Sequence, residues 1–303
     1  MTPIPASPLL PEEARSALAG LRFQPRVLAE GGVSGIHLSS HPGQSLEFSE
    51  LKGYAFGDDP KGIDWKVLAR TDKLYVRRYQ DETNLSAYLA IDASASMAAA
   101  DGSSKYRHAA SLIAGLAYVL LRQGDEVGLH VAHEKRPVVF PPRGVPSHLQ
   151  EVLTALERVH PSSGTCIGGV LESILAQARK KGLVILASDL LTDWADVART
   201  LGLLSARGHA CIVLHVLSTE ERTFPYRGSV LFRSLETGET ALVDARGLRK
   251  QYLEAIERFV LDVRAACHDA GVFYYPVDME IPPVVGVADV IRAVQGGRRR
   301  RVS

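Results

Sequence analysis

The chain has 303 residues, of which 46% are hydrophobic and 23% charged. This composition supplies a core for one large domain or two modest ones and excludes a disordered chain. The 35 Lys and Arg residues nearly balance 34 Asp and Glu, so we expect no nucleic-acid partner. The apolar runs are shorter than the roughly 18 residues of a membrane span. The first residues also do not resemble a leader sequence. Together, these two features predict a cytoplasmic protein without a membrane span.

The first 83 residues predict an N-terminal extension that packs on a main domain formed by residues 84–303. Four prolines delay any structure until residue 12, and the elements that follow are short and separated by turn residues. We predict a helix over 12–21, a strand over 46–56, a helix over 63–70 and a strand over 74–79.

From residue 84 onward, apolar strand-like runs alternate with helical patterns. This alternation predicts an α/β fold, with a mainly parallel sheet covered by helices on both faces. A helix over 106–121 is apolar almost all round and should be buried, and a hairpin should precede an amphipathic helix that starts near residue 248. The predicted strands cover 85–91, 127–132, 138–140, 183–187, 211–217 and 272–277.

Oxygen-bearing side chains follow the first strand of this domain. Asp92, Ser94 and Ser96 stand at alternate positions where the strand ends. In an open parallel sheet, ligands collect at the carboxyl ends of strands where the strand order reverses. A carboxylate and two hydroxyls suit magnesium far better than zinc or copper. The alternative interpretation is that these residues only cap the helix that follows.

Two further segments place oxygen atoms next to core elements of the same sheet. Ser162 to Thr165 precedes a helical run, and Ser188 with Asp189 ends a very apolar strand. With these segments, the chain resembles the von Willebrand factor A-like fold and its metal-ion-dependent adhesion site, which combines D-x-S-x-S, a Thr and an Asp from three loops. The resemblance implies a metal site made of Asp92, Ser94, Ser96, Thr165 and Asp189.

The segment GYAFGDDPKGIDWKVLARTDKLYVRRYQDETN, just ahead of the first predicted ligand, resembles the bacterial domain of unknown function 58 family. Members of that family are von Willebrand A-like proteins often associated with MoxR-type AAA+ ATPases, which implies such an ATPase as a partner. Two departures are visible. Lys61 and Gly62 stand where the family usually carries basic residues including Arg, and the membrane helices of many members are absent.

The proposed ligands predict a site for Mg²⁺, with Mn²⁺ or Ca²⁺ possible, and leave an open coordination position. The resemblance implies that an acidic side chain of a partner protein fills this position. The chain is therefore predicted to be an adaptor module and not an enzyme. The alternative is a magnesium-dependent phosphohydrolase. Haloacid-dehalogenase-like enzymes carry a second Asp two positions after the first, where this chain has Ser94, and a hydroxyl is a poor general acid near neutral pH.

Overall fold

The computed structural model describes residues 7–25, 46–54, 63, 65–71, 73–81, 84–98, 104–133, 137–163, 166–192, 194–235 and 238–296. The described residues divide into two compact units. One contains residues 7–25 and 85–296, and the other contains those between 46 and 84. The beginning of the chain, which the sequence analysis assigned to one extension over 1–83, is thus grouped with the main sheet. The four arginines at positions 298–301 and the turn-forming residues 57–62 lie outside the described residues.

The smaller unit contains a two-stranded antiparallel sheet. Strand β1 (Leu46–Gly53) pairs with β2 (Tyr75–Asp81), and helix α2 (Trp65–Thr71) lies between them in the chain. The pairing continues past β1, where the backbone N–H of Tyr54 donates to the carbonyl of Leu74 at 2.9 Å. The two strands and the helix confirm the elements predicted for this segment.

The larger unit holds the remaining elements. They are α1 (Glu12–Leu18), β3 (Ser86–Asp92), α3 (Lys105–Arg122), β4 (Glu126–Ala132), β5 (Val138–Arg143), α4 (His148–Arg158), α5 (Ile167–Gln177), β6 (Leu183–Ser188), α6 (Trp194–Ala206), β7 (Ala210–Leu217), α7 (Thr219–Thr223), β8 (Ser229–Arg233), β9 (Thr240–Asp244), α8 (Ala245–Asp269), β10 (Phe273–Asp278) and α9 (Pro283–Gln295). All the predicted strands and the predicted hairpin, β8 with β9, are present.

The central sheet has the strand order β10-β7-β6-β3-β4-β5. All neighbouring strands are parallel except β5, which runs antiparallel to β4 at one edge. Counted in chain order within the sheet, this is the doubly wound order 3-2-1-4-5-6. The chain therefore leaves β3 towards one edge of the sheet and later returns to form β6 on its other side.

Helices cover both faces of the sheet, which explains why its central strands are apolar along their whole length. Residues of α5, α6 and α8 form one core cluster with alternate residues of the strands, such as Ala90, Leu186 and Val213. Helix α3 packs against β3 and β4, and also against α4, α9 and α1. This helix is buried along most of its length, as the sequence predicts.

Close helix packing generates a testable difference between two helical glycines. A Cβ atom at Gly115 in α3 would lie 2.7 Å from Cγ2 of Val287 and 3.2 Å from Cδ1 of Leu18, whereas at Gly202 in α6 the nearest atom is 3.8 Å away. We expect Gly115→Ala to lower the free energy of unfolding by about 1–3 kcal/mol through overpacking. Gly202→Ala should raise it by about 0.5–1 kcal/mol, because alanine favours the helix.

Urea denaturation of both variants measures this difference. The two substitutions are chemically identical, so helix propensity alone moves both in the same direction. Equal stabilisation by both would contradict the close approach of α3 to α9 and α1.

Candidate functional site

The candidate site lies where β3 and β6 end side by side. Ile91 of β3 pairs with Ala187 of β6 in a parallel register, so Asp92 and Ser188 follow at the same edge. The chain leaves β3 in one direction and returns on its other side, which makes this edge the switch point where ligands collect in open α/β sheets. The sheet topology therefore brings the first and third predicted ligand loops together.

Asp92 is a buried carboxylate, 1% exposed. Its Oδ1 accepts the backbone N–H of Ser94 at 2.8 Å and its Oδ2 accepts the hydroxyl of Ser188 at 2.7 Å. Burial, and then repulsion by Asp189, raise the pKa of Asp92 to about 6, although the hydrogen bonds from Ser188 and Ser94 lower it in part. Among the residues that the structure describes, no basic side chain pairs with Asp92. Among these residues, its charge therefore lacks a basic counter-ion.

The hydroxyls of Ser94 and Ser96 lie side by side, with their Oγ atoms 2.9 Å apart. This separation is that of a hydrogen bond between the two hydroxyls, in which either oxygen can donate. Ser94 precedes a short 3₁₀ turn, Ala95–Met97, but its side chain makes no capping hydrogen bond. The carboxylate of Asp92 accepts the N–H of Ser94 two residues further on, as in an Asx turn, so neither Asp92 nor the Ser94 hydroxyl caps this turn.

The second predicted ligand loop begins beside the first. Ser162 forms an isolated parallel bridge with Ser94, and its backbone N–H donates to the carbonyl of Ala93 at 3.0 Å. Thr165 itself lies outside the described residues, so its role as a ligand stays a prediction. The structure thus brings together Asp92, Ser94, Ser96 and the loop of Asp189, and sets Ser162 next to them.

Asp189 is paired with a lysine that sequence reasoning missed. Nζ of Lys105, the first residue of α3, lies 2.8 Å from Oδ2 of Asp189 and 2.5 Å from Oε1 of Glu221. Lys105 is 4% exposed and Asp189 is 1% exposed. Burial alone lowers the pKa of Lys105, but Asp189 and Glu221 outweigh this effect and raise it above its ordinary value. The lysine is therefore held as a charged ammonium.

Glu221 reaches this cluster from the short helix α7. Ser218 and Glu221 form a capping box, in which Oε2 of Glu221 accepts the N–H of Ser218 at 2.8 Å while Oε1 bonds Lys105. The S-x-x-E spacing of a capping box is readable from sequence. The pairing of Glu221 with Lys105 is not readable from sequence, because the two residues are 116 positions apart.

His215 braces the backbone of the Asp189 loop. It is 2% exposed, with Nε2 3.0 Å from the carbonyl oxygen of Asp189 and Nδ1 2.8 Å from the hydroxyl of Tyr274. Burial lowers the pKa of His215 to about 4, so the ring is neutral and donates from one nitrogen only. His215 also lines a cavity of about 400 Å³ between α8 and the ends of β7 and β10. It is therefore a buried histidine of the core.

The side chains at this edge fit a divalent cation with a preference for oxygen. With every group ionised, the three carboxylates of Asp92, Asp189 and Glu221 and the ammonium of Lys105 carry a net charge of −2. Within the described ranges, no group of three or more His, Cys, Asp or Glu side chains is arranged to hold a metal. A cation at this edge would be held by carboxylate and serine oxygens, which are ligands that suit magnesium and not zinc.

The sheet order, its single antiparallel edge strand and the oxygen-rich carboxyl edge define a von Willebrand factor A-like domain. The chain belongs to the family described as protein of unknown function DUF58, whose profile matches residues 50–259. The family resemblance read from the sequence is thus confirmed.

An uncharacterized protein of Mycobacterium tuberculosis is 25% identical over 293 residues, which cover 94% of this chain and 90% of that protein. The crystal structure of an aerotolerance-related membrane protein from Bacteroides fragilis is 19% identical, with a TM-score of 0.47, and covers 70% of this chain and all of its own. The VWA domain of SpRpn10 is 12% identical, with a TM-score of 0.40 over 68% of this chain and 95% of that domain.

The predicted cytoplasmic location is wrong, because the comparison from Bacteroides fragilis is with a membrane protein. The prediction relied on the absence of a long apolar run, and that absence does not report where a protein resides. In the part of the chain that the structure describes, no helix combines the length and apolar character needed to cross a membrane.

The raised pKa of Asp92 predicts a pH dependence of stability in metal-free buffer. The folded-state pKa of about 6 exceeds the ordinary value of 3.8 for an aspartate, so the folded protein binds more protons and its stability falls as pH rises from about 4 to 6. Asp92→Asn removes this charge. Relative to wild type, the variant should gain up to about 3 kcal/mol between pH 4 and pH 7, since one pKa unit corresponds to about 1.4 kcal/mol.

Urea denaturation of both proteins at pH 4 and pH 7 gives the free energies of unfolding. Asp262→Asn, which removes an exposed carboxylate on α8, serves as the matched control. A difference between Asp92→Asn and wild type that stays constant with pH would show that Asp92 is not destabilised by burial.

Proposed function

We propose that this chain is a protein-interaction module that binds a partner through a divalent cation, Mg²⁺ in the first place, at the carboxyl edge of its sheet. The observation that carries the proposal is the buried carboxylate of Asp92, which has two hydrogen-bond donors but no basic partner among the described residues. Two serine hydroxyls lie next to it in the same loop. A cation at this position removes the cost of burying that charge.

Each residue of the site has a distinct role in this proposal. Asp92 supplies the negative charge, and Ser94 and Ser96 supply neutral oxygens that leave water on the ion. Asp189 contributes a second carboxylate from the next loop, one of whose oxygens also bonds Lys105. Thr165 completes the set by the family resemblance. When bound, the ion offers an open position to an acidic oxygen of another molecule.

The proposed partner is a protein with an exposed acidic side chain, and a MoxR-type AAA+ ATPase is the candidate that the family resemblance supplies. We propose an adaptor and not an enzyme because the residue two positions after Asp92 is Ser94. Its hydroxyl is 2.9 Å from that of Ser96, and neither group is an efficient general acid near neutral pH.

Mg²⁺ should raise the melting temperature of wild type in a concentration-dependent way, as expected for a ligand that binds only the folded state. At 100 times the dissociation constant, the gain corresponds to about 2.7 kcal/mol. In Asp92→Asn the rise should be largely lost, because the charge that binds the ion is gone, while Asp262→Asn should respond like wild type. Differential scanning calorimetry with MgCl₂ and with a chelator measures these shifts. An undiminished response in Asp92→Asn would locate the cation elsewhere.

Partner binding should require both the ion and its hydroxyl ligands. Ser94→Ala removes one oxygen without changing the charge, and Thr165→Ala removes one from another loop. Each should weaken binding to a candidate MoxR-type ATPase by about 5- to 150-fold, the usual range of coupling between two ligands. Ser205→Ala at the end of α6 is the control for a lost hydroxyl.

Surface plasmon resonance in MgCl₂ and in a chelator separates the possibilities. An affinity that is equal in both buffers and for all variants would show that this edge of the sheet is not the docking surface. Turnover of a phosphate ester that depends on Asp92 would favour the phosphohydrolase instead.

A further inference from the structure

Lys105 is unusual because lysine is rarely buried unless it is paired. Its ammonium is 4% exposed and lies between two carboxylates, Asp189 from the loop after β6 and Glu221 from α7. One carboxylate, Asp189, is enough to pair with the ammonium of Lys105. Glu221 is a second carboxylate on the same ammonium. The described cluster therefore holds more negative charge than Lys105 can offset.

The charges of this cluster are held in place by the backbone. Oδ1 of Asp189 accepts the N–H of Leu191 at 3.1 Å, and Oε2 of Glu221 accepts the N–H of Ser218 at 2.8 Å. Lys105 begins α3, whose N-cap Ser104 accepts the N–H of Arg107. Because these groups are held close to one another, their charges act together on an ion at this edge.

We propose that Lys105 is a specificity-determining residue that sets the charge of the cation bound at this edge. The inference rests on the proposed function. The ammonium offsets one of three carboxylates and leaves a net charge of −2, which matches a divalent ion. Without Lys105 the cluster carries −3 and favours a trivalent ion. Without the charge of Glu221 it carries −1, and the preference for higher ion charge falls.

A purely structural role for the ion pair makes a different prediction. If Lys105 and Glu221 only fasten α7 to α3, breaking the pair from either end loosens the same contact. The affinities for cations of different charge then change in the same direction for both variants. Under the charge role, Lys105→Met and Glu221→Gln shift the selectivity in opposite directions.

The test compares Tb³⁺, measured by its luminescence, with Mn²⁺, measured by electron paramagnetic resonance, on the full chain. Relative to wild type, the ratio of Tb³⁺ to Mn²⁺ affinity should rise about tenfold or more in Lys105→Met and fall about tenfold or more in Glu221→Gln. These changes follow from adding or removing one unit charge near the ion. The double variant should return towards the wild-type ratio, because its net charge is again −2.

Lys105→Arg keeps the charge and should keep the wild-type ratio, which provides rescue by a conservative change. Circular dichroism checks that each variant is folded. If Lys105→Met does not fold, because Asp189 is left buried without a partner, Lys105→Gln, which keeps a hydrogen-bond donor beside Asp189, serves as the neutral variant.

The role proposed for Lys105 is overturned, while the proposed function stands, if both single variants shift the ratio in the same direction. The same holds if the double variant does not return towards the wild-type ratio. An unchanged ratio in Glu221→Gln also overturns that role. A wild type that binds neither ion overturns the proposed function itself, so the two failures are distinguishable.

Discussion

Two buried carboxylates lie close together at the carboxyl edge of the sheet. Hydrogen bonds and an ion pair from the surrounding structure partly compensate for their charge. Asp92 and Asp189 are each 1% exposed and follow adjacent parallel strands. Their mutual repulsion contributes to the raised pKa of Asp92. Such a pair persists only where hydrogen bonds, an ion pair or a cation compensates for it. At Asp189 the compensation is an ammonium, and at Asp92 it is incomplete.

The compensating groups connect parts of the fold that are otherwise separate. Lys105 links the start of α3 to the loop after β6 and to α7. His215 ties the backbone of the same loop to Tyr274 on the edge strand β10. Asp189 is therefore connected, directly or through one other residue, to α3, α7, β7 and β10. Any energetic coupling between the site and these elements would pass through these contacts.

The division between charged and hydroxyl ligands also has a consequence for selectivity. The acidic residues at this edge are partly engaged by the protein itself, while Ser94 and Ser96 supply neutral oxygens. In the proposed function, a site of this composition would disfavour zinc, which prefers sulfur and nitrogen, and would retain water on a hard cation.

The sequence by itself determined the local features of this protein. Apolar runs predicted the strands of the sheet, and the D-x-S-x-S spacing predicted that Asp92 and the two serines share one loop, because both are properties of neighbouring residues. The resemblance to the von Willebrand factor A-like fold, carried by three separate segments, supplied Asp189. Lys105 and Glu221 were missed, although one directly precedes a predicted helix and the other belongs to a capping box.

Only the tertiary structure decided which charges meet. Lys105 contacts partners 84 and 116 residues away, and these pairings depend on the order of strands in the sheet. The grouping of residues 7–25 with the main sheet has the same origin, since α1 packs on α3 and α9. Local periodicity specifies which face of an element is apolar, but it carries no information about which distant element covers that face. For that reason the sequence identified Asp92 and its neighbouring serines as a candidate site. It did not identify Lys105, whose ammonium offsets the charge of Asp189.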